Sequence, residues 1–178
     1  MDLRKQKTQT AIQEAFLQLR REKNLEQISV TELSSVAQIS KATFYLHYRD
    51  VFDLSEKLQK AAIQKVLEQT DISVSLLDHW SEFTKSMLLA VERNNSLLSV
   101  LFSGSQMAMC PILLEDYLRE SILAGAPELK ENMELSVRLT YHIQGGYHAY
   151  LRHAQHADIP HIMEIIADIH RKSGPQTI

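Results

Sequence analysis

The sequence predicts an all-α protein: an N-terminal three-helix domain followed by a larger helical bundle. Three observations carry this. Apolar residues recur at spacings of three and four nearly throughout the 178 residues, the period of an amphipathic helix. No stretch alternates apolar and polar residues as a half-buried strand does. Helix-start residues stand just ahead of several of the apolar stripes.

The elements follow in order. Ile12, Ala15, Phe16 and Leu19 form one face of a first helix, and "NLEQ" at 24–27 interrupts it. Ser29 and Glu32 make the S-x-x-E pattern of a capping box, opening a short second helix with Val30, Leu33 and Ala37 inside. Ser40 can cap a third helix. Asp50 can cap a fourth, striped by Leu54, Leu58 and Ala61. Beyond residue 72 the helices lengthen. Leu76, Trp80, Phe83, Met87 and Val91 line the next, and "ERNN" ends it. Gly104 and Pro111 bracket one break and "GAP" at 125–127 another. A long helix is expected over 128–153. Ile159, Ile162, Ile166 and Ile169, spaced three, four, three, form a heptad-like seam on the last helix, which "SGP" at 173–175 closes.

Composition narrows the function classes. Hydrophobic residues at 44% and charged residues at 23% describe an ordinary globular chain. No apolar run reaches the roughly 18 residues of a membrane span, and the basic N-terminus lacks the apolar stretch of a signal peptide. A single cysteine, Cys110, fits a reducing compartment, so a cytoplasmic protein without membrane partners is expected. The motifs H-E-x-x-H, G-x-S-x-G, C-x-x-C and any Gly-rich phosphate loop are missing, as are the E-x-x-H pairs of a di-iron bundle. No enzyme and no cofactor is expected. The net charge of −3 hides an asymmetry: residues 1–65 hold 11 Lys and Arg against 8 Asp and Glu, a balance of +3, and residues 66–178 hold 8 against 14, a balance of −6. The two parts are expected to meet different partners.

The segment "AQISKATFYLHYRD" at 37–50 is the most informative. Two short helices separated by about three residues suggest a helix-turn-helix. On a helical wheel Phe44 and Tyr48 share the inward side. The outward side presents Ala42, Thr43 and Leu46, flanked by Tyr45 and His47. An outward leucine beside an alanine suits a major groove, where small apolar groups meet thymine methyls. Lys41, Thr43, Tyr45 and His47 can donate to phosphates, and Arg4, Lys5 and Lys7 add a basic arm. The alternative is a short helix at a domain corner with incidental polar groups.

Over its first 60 residues, through "TAIQEAFLQL", "ISVTELSSVAQISKATFYLHYRD" and "VFDLSEKL", the chain resembles the TetR/AcrR family of bacterial transcription regulators. Its last part resembles a Gram-positive branch that includes regulators of dihydroxyacetone kinase operons. The resemblance implies a homodimer that binds a double-stranded DNA operator. A helix-turn-helix domain over 1–50, a connecting helix over about 51–71, and a dimerising, effector-binding domain over 72–178 would follow. It implies DNA contacts at Thr31, Ser40, Lys41, Thr43, Tyr45 and His47, and most simply a repressor released by a small-molecule effector. The family often has glycine where Gln38 and Ala42 stand, and a basic residue at Val51. Gln38 in the turn would need a left-handed backbone, costing about 1 kcal/mol. These departures leave a second possibility, a TetR-like scaffold or co-regulator that acts through protein partners without DNA.

In the second domain Trp80, Phe83, Met87, Phe102, Tyr117, Tyr141 and Tyr147, with Met107 and Met109, offer apolar surface with polar tips for an effector pocket; the alternative is plain core. Gly145 and Gly146 suit close helix approach. Together with Ile159, Ile162, Ile166 and Ile169 they are the candidate dimer interface, the family placing the last two helices in a four-helix bundle between subunits. "HAQHADIPH" brings His153, His156, Asp158 and His161 together, which reads as a solvated helix end, not a metal site.

Overall fold

The computed structural model describes residues 3–70, 79–154 and 158–173. The described residues contain nine α-helices and no strand: α1 Leu3–Glu22, α2 Val30–Val36, α3 Lys41–Tyr45, α4 Val51–Glu68, α5 Trp80–Arg93, α6 Asn95–Leu101, α7 Met109–Gly125, α8 Met133–His153 and α9 Ile159–Ser173. The fold is all-helical. No single described helix is long and apolar enough to cross a membrane.

The chain divides into two compact units that do not follow chain order. One is Met1–Ala62 with Ser96–Cys110; the other is Ile63–Asn95 with Pro111–Ile178. The first unit includes most of α6 and the turn after it. Local spacing carries no signal for this placement.

In the first unit Ile12, Ala15, Phe16 and Leu19 of α1 are buried, with Leu33, Phe44 and Leu54 fully so. "NLEQ" is not a plain break: Leu25–Gln27 makes one 3-10 turn that buries Leu25. Half of the Ser29–Glu32 box forms. Ser29 Oγ accepts from the Glu32 N–H at 3.2 Å, but the Glu32 carboxylate pairs with Lys23. The α4 stripe is rotated from its expected line. Leu58 is half-buried and Ala61 exposed, and the interior takes Ala62, Ile63 and Val66.

The end of α2 explains Gln38. The Ile39 N–H reaches the Ser34 carbonyl at 3.0 Å and the Gln38 N–H reaches that of Ser35 at 3.2 Å. This pair of bonds is the Schellman ending, which needs a left-handed residue after the cap. Gln38 supplies it at φ 55°, alone among described non-glycine residues. Gln38→Gly is expected to raise stability by up to about 1 kcal/mol, read as a higher urea midpoint at unchanged slope.

In the second unit α9 packs on α5 and α8. The expected 128–153 helix starts later, because residues 127–131 form a 3-10 turn and the Asn132 side chain then caps α8, accepting from the Leu135 N–H at 2.9 Å. Ile162 and Ile166 are interior at 7% and 3% exposure, with Met163, Ala167 and His170, whereas Ile169 is 49% exposed. Ile159 is half-buried. The isoleucine seam thus runs inward at 162 and 166 and leaves the interior at 169, where His170 takes the buried place.

Candidate nucleic-acid interface

Helix α3 is short. Ser40 caps it, its Oγ accepting from the Thr43 N–H at 3.0 Å and meeting Thr43 Oγ1 at 2.8 Å. The helix ends at Tyr45, and the chain continues through turns in which the His47 and Tyr48 N–H groups both reach the Phe44 carbonyl, at 2.9 and 3.0 Å. Two aromatic rings hold this short piece in place. Phe44 is 0% and Tyr48 3% exposed, their centroids 5.8 Å apart. The Tyr48 hydroxyl accepts from Gln13 Nε2 of α1 at 3.3 Å, and Lys57 Nζ of α4 lies 5.1 Å from its ring centroid.

The opposite side faces out. Leu46 is 82% exposed, more than any other large apolar residue among the described ones, and Tyr45 is 57% exposed. Lys41 and Ala42 are exposed beside them, and Thr43 and His47 half-exposed. Thr31 is exposed in the first turn of α2. Seven of the eight residues singled out for DNA contact thus lie within one stretch of eight, Ser40–His47, and Thr31 stands on the neighbouring helix.

Cations surround the next helix start. Asp50 Oδ1 accepts from the Asp53 N–H at 2.7 Å, capping α4. The buried Asp53 carboxylate accepts from Lys57 Nζ at 2.9 Å and from the Arg49 N–H at 3.0 Å. These bonds, Lys57 first, hold its carboxyl below the usual range. The Arg49 side chain stays 81% exposed. Val51 is buried, so its position serves the core, and the outward Arg49 guanidinium pairs with Asp53 Oδ1 at 3.5 Å.

The residues expected to line an effector pocket differ in burial, and the Trp80 and Phe83 rings meet edge to face at 6.0 Å. Trp80, Phe83, Met87 and Tyr147 are buried in the second unit, Tyr141 there is 60% exposed, and Tyr117 is half-buried. Phe102 is buried in the first unit. A cleft of about 410 Å³ lies instead between α5 and α9, lined by Leu89, Ile159, Pro160 and Met163 with Lys85, Glu92 and Glu164. Glu92 accepts from the Tyr150 hydroxyl. Burial, then this carboxylate, pushes the Tyr150 phenol up.

Beside the cleft is a buried aromatic group in which Trp80, marked by the sequence, joins two histidines that no motif marks. His142 of α8 stacks on Trp80 at 4.4 Å and meets the edge of His170 of α9 at 4.4 Å. His170 Nδ1 lies 2.6 Å from Thr84 Oγ1. Trp80 Nε1 and His142 Nδ1 have no hydrogen-bond partner. Burial lowers both imidazoles to about 4, with Arg138 adding to the effect at His142 and His142 itself at His170. The histidines that drew attention in the sequence lie elsewhere: His153 and His161 are exposed, and His156 lies outside the described residues.

The two adjacent glycines differ. A Cβ at Gly146 would sit 3.0 Å from His170 Cε1 and 3.5 Å from Ile166 Cγ2, whereas one at Gly145 would meet nothing within 4 Å. Gly146 serves packing within the subunit. Gly145 continues an outward line on α8 with Met133, Val137 and Tyr141, which are 73%, 60% and 60% exposed.

No protein-family model, no curated protein and no solved structure matches this chain.

Proposed function

We propose that this protein is a cytoplasmic, homodimeric DNA-binding transcription regulator of the TetR type. Its α2–turn–α3 segment acts as a helix-turn-helix whose α3 enters the major groove. The observation that carries this is Leu46, 82% exposed at the C-terminal cap of α3, a segment pinned from behind by Phe44 and Tyr48. Leaving a leucine in water gives no stability, whereas in a groove it reads a thymine methyl. Ala42 stands beside it for the same contact. Lys41, Tyr45 and His47, with Ser40, Thr43 and Thr31, supply donors for phosphates, and Arg4, Lys5 and Lys7 add charge from α1.

Tyr45 and Leu46 should fail differently. Tyr45→Phe removes a hydroxyl and keeps the ring. It is expected to weaken binding by about 1.5–3 kcal/mol, the worth of a hydrogen bond to a charged group, alike on every operator variant. Leu46→Ala should instead change which base is preferred at one position in each half-site. Gel-shift titrations against single-base operator variants distinguish the two. If Tyr45→Phe reshuffles preference and Leu46→Ala lowers affinity evenly, the helix is turned wrongly in the groove. With roughly 6–8 phosphates neutralised per dimer, the log–log salt slope should be about −5 to −7.

The dimer surface we infer is the outward apolar line of α8, Met133, Val137, Tyr141 and Gly145, with Ile165 and Ile169 of α9, which are 47% and 49% exposed. Ile162 and Ile166 belong to the subunit core, so charges there would unfold the chain before they dissociated it. Val137→Glu with Ile165→Glu is expected to yield a folded monomer in sedimentation while the wild type sediments as a dimer. A wild-type monomer at micromolar concentration contradicts this surface. The α5–α9 cleft, at about 410 Å³, falls within the range of small-ligand sites and is the candidate effector site. An effector bound there would release a repressor from its operator.

A further inference from the structure

A polar cleft of about 380 Å³ opens in the first unit between the end of α1 and the segment Ser99–Ser103. Its lining includes Arg20 and Arg21, Lys23 in its ion pair with Glu32, and one acid, Glu22, with Asn24, Ser99 and Ser103 as neutral polar groups.

Arg20 is the unusual member. It is 3% exposed, and arginine is almost never that buried unless paired. Here its hydrogen bonds go only to neutral oxygens: Nη1 to the Lys23 carbonyl at 2.7 Å, and Nη2 to the Ser103 carbonyl at 3.2 Å and Ser103 Oγ at 2.7 Å. Its Nε has no acceptor. None of its hydrogen bonds reaches a carboxylate: Glu26 accepts from Ser105 and Glu32 pairs with Lys23. Burial lowers the guanidinium pKa, partly offset by Glu26. A buried charge that Glu26 only partly offsets is costly, and an anion in the cleft would offset it further.

The surrounding backbone is built to keep the cleft walls close. Gly104 holds φ +60°, and a Cβ there would overlap Asn24 Oδ1. Glycine both supplies the left-handed turn and lets residues 103–105 approach Asn24. Arg20–Ser103 and Glu26–Ser105 then tie the two walls at two points.

We propose that this cleft is a binding site for a small doubly charged oxyanion, of the class of inorganic phosphate and phosphate monoesters. Arg20 and Arg21 give the charge and the Asn24 amide a directed donor, while the Ser99 and Ser103 hydroxyls, which donate to the Ser96 and Val100 carbonyls at 3.4 and 3.1 Å, line the wall. The site joins α1, which also carries the basic arm, to α6, so its occupancy would set how firmly those two elements are held. It does not depend on the DNA-binding proposal, and its test uses no operator.

The test is titration of inorganic phosphate into the full-length protein at constant ionic strength, followed by amide chemical shifts and by calorimetry. Saturable binding is expected, with shifts centred on residues 20–27 and 99–104. Arg21→Gln should weaken it about tenfold, near the worth of one charge-assisted hydrogen bond. Ser99→Glu, which places a carboxylate in the cleft, should abolish it while leaving the circular dichroism unchanged. Arg20 itself is left intact in the test because it joins the two walls. Non-saturating shifts, or binding unchanged by Ser99→Glu, overturn the proposal. So does a short random duplex shifting the same amides when phosphate alone does not, since the cleft would then be a backbone contact.

Discussion

Acidification from pH 7 to pH 4 is expected to destabilise this protein steeply, through His142 and His170. Both are buried, at 2% and 4% exposure, and both are lowered from 6.5 to about 4. The unfolded chain therefore binds more protons than the folded one between those values. The histidine contribution is complete above about 6.5, falls as pH drops through that window, and levels off below about 4. At about 1.4 kcal/mol per pH unit of pKa change, each imidazole accounts for about 3 kcal/mol. Urea unfolding at half-unit pH steps reads this directly. His142→Phe keeps a ring on Trp80 and removes one titrating group, so roughly half of the acid loss should disappear. An unchanged slope in that variant would mean the imidazoles are not the groups being protonated.

Phe44→Ala is the second large effect. The ring is 0% exposed and packs on Tyr45 and Tyr48. Its removal should cost about 3–5 kcal/mol, seen as a lower midpoint in far-ultraviolet circular dichroism. Because α3 has only five residues, it cannot hold its own shape in water and depends on this ring for its presentation. Specific DNA affinity should vanish with it. Tyr48→Phe is the milder companion. It loses the bond from Gln13 Nε2, worth about 1 kcal/mol, and should keep most of the affinity. If Phe44→Ala leaves stability within 1 kcal/mol, the packing account of α3 is wrong.

Local features were legible where chemistry is local. The caps Ser29, Ser40 and Asp50, the inward Phe44 and Tyr48 and the outward Leu46 follow from spacing and side-chain type, and the left-handed Gln38 from the glycine that the TetR resemblance implies there. The end of α5 at Arg93 before Asn94 was equally plain. Elements whose partners lie far along the chain were not. The α9 seam was drawn through isoleucines because His170 looks polar, and only its burial against Thr84, Gly146 and His142 makes it a core residue. Trp80, His142 and His170 come from three helices, so no motif joins them. Arg20 gave no sign in the sequence of its bond to Ser103. The 3-10 turns at Leu25–Gln27 and Pro127–Glu131 replaced an expected break and the start of an expected helix, a boundary that hydrophobic period alone does not fix.

Selection of bound sequences from random duplex DNA, run in parallel for the wild type and for Leu46→Glu, tests the central claim most directly. Leu46 is 82% exposed, so the variant should fold as the wild type does, and matching circular dichroism verifies that. The wild type should enrich a pseudo-palindrome, because a two-fold dimer reads two half-sites. The variant, with a carboxylate facing the groove, should enrich nothing. Enrichment of the same site by both proteins, or of no site by the wild type, would contradict the claim that the outer face of α3 reads DNA.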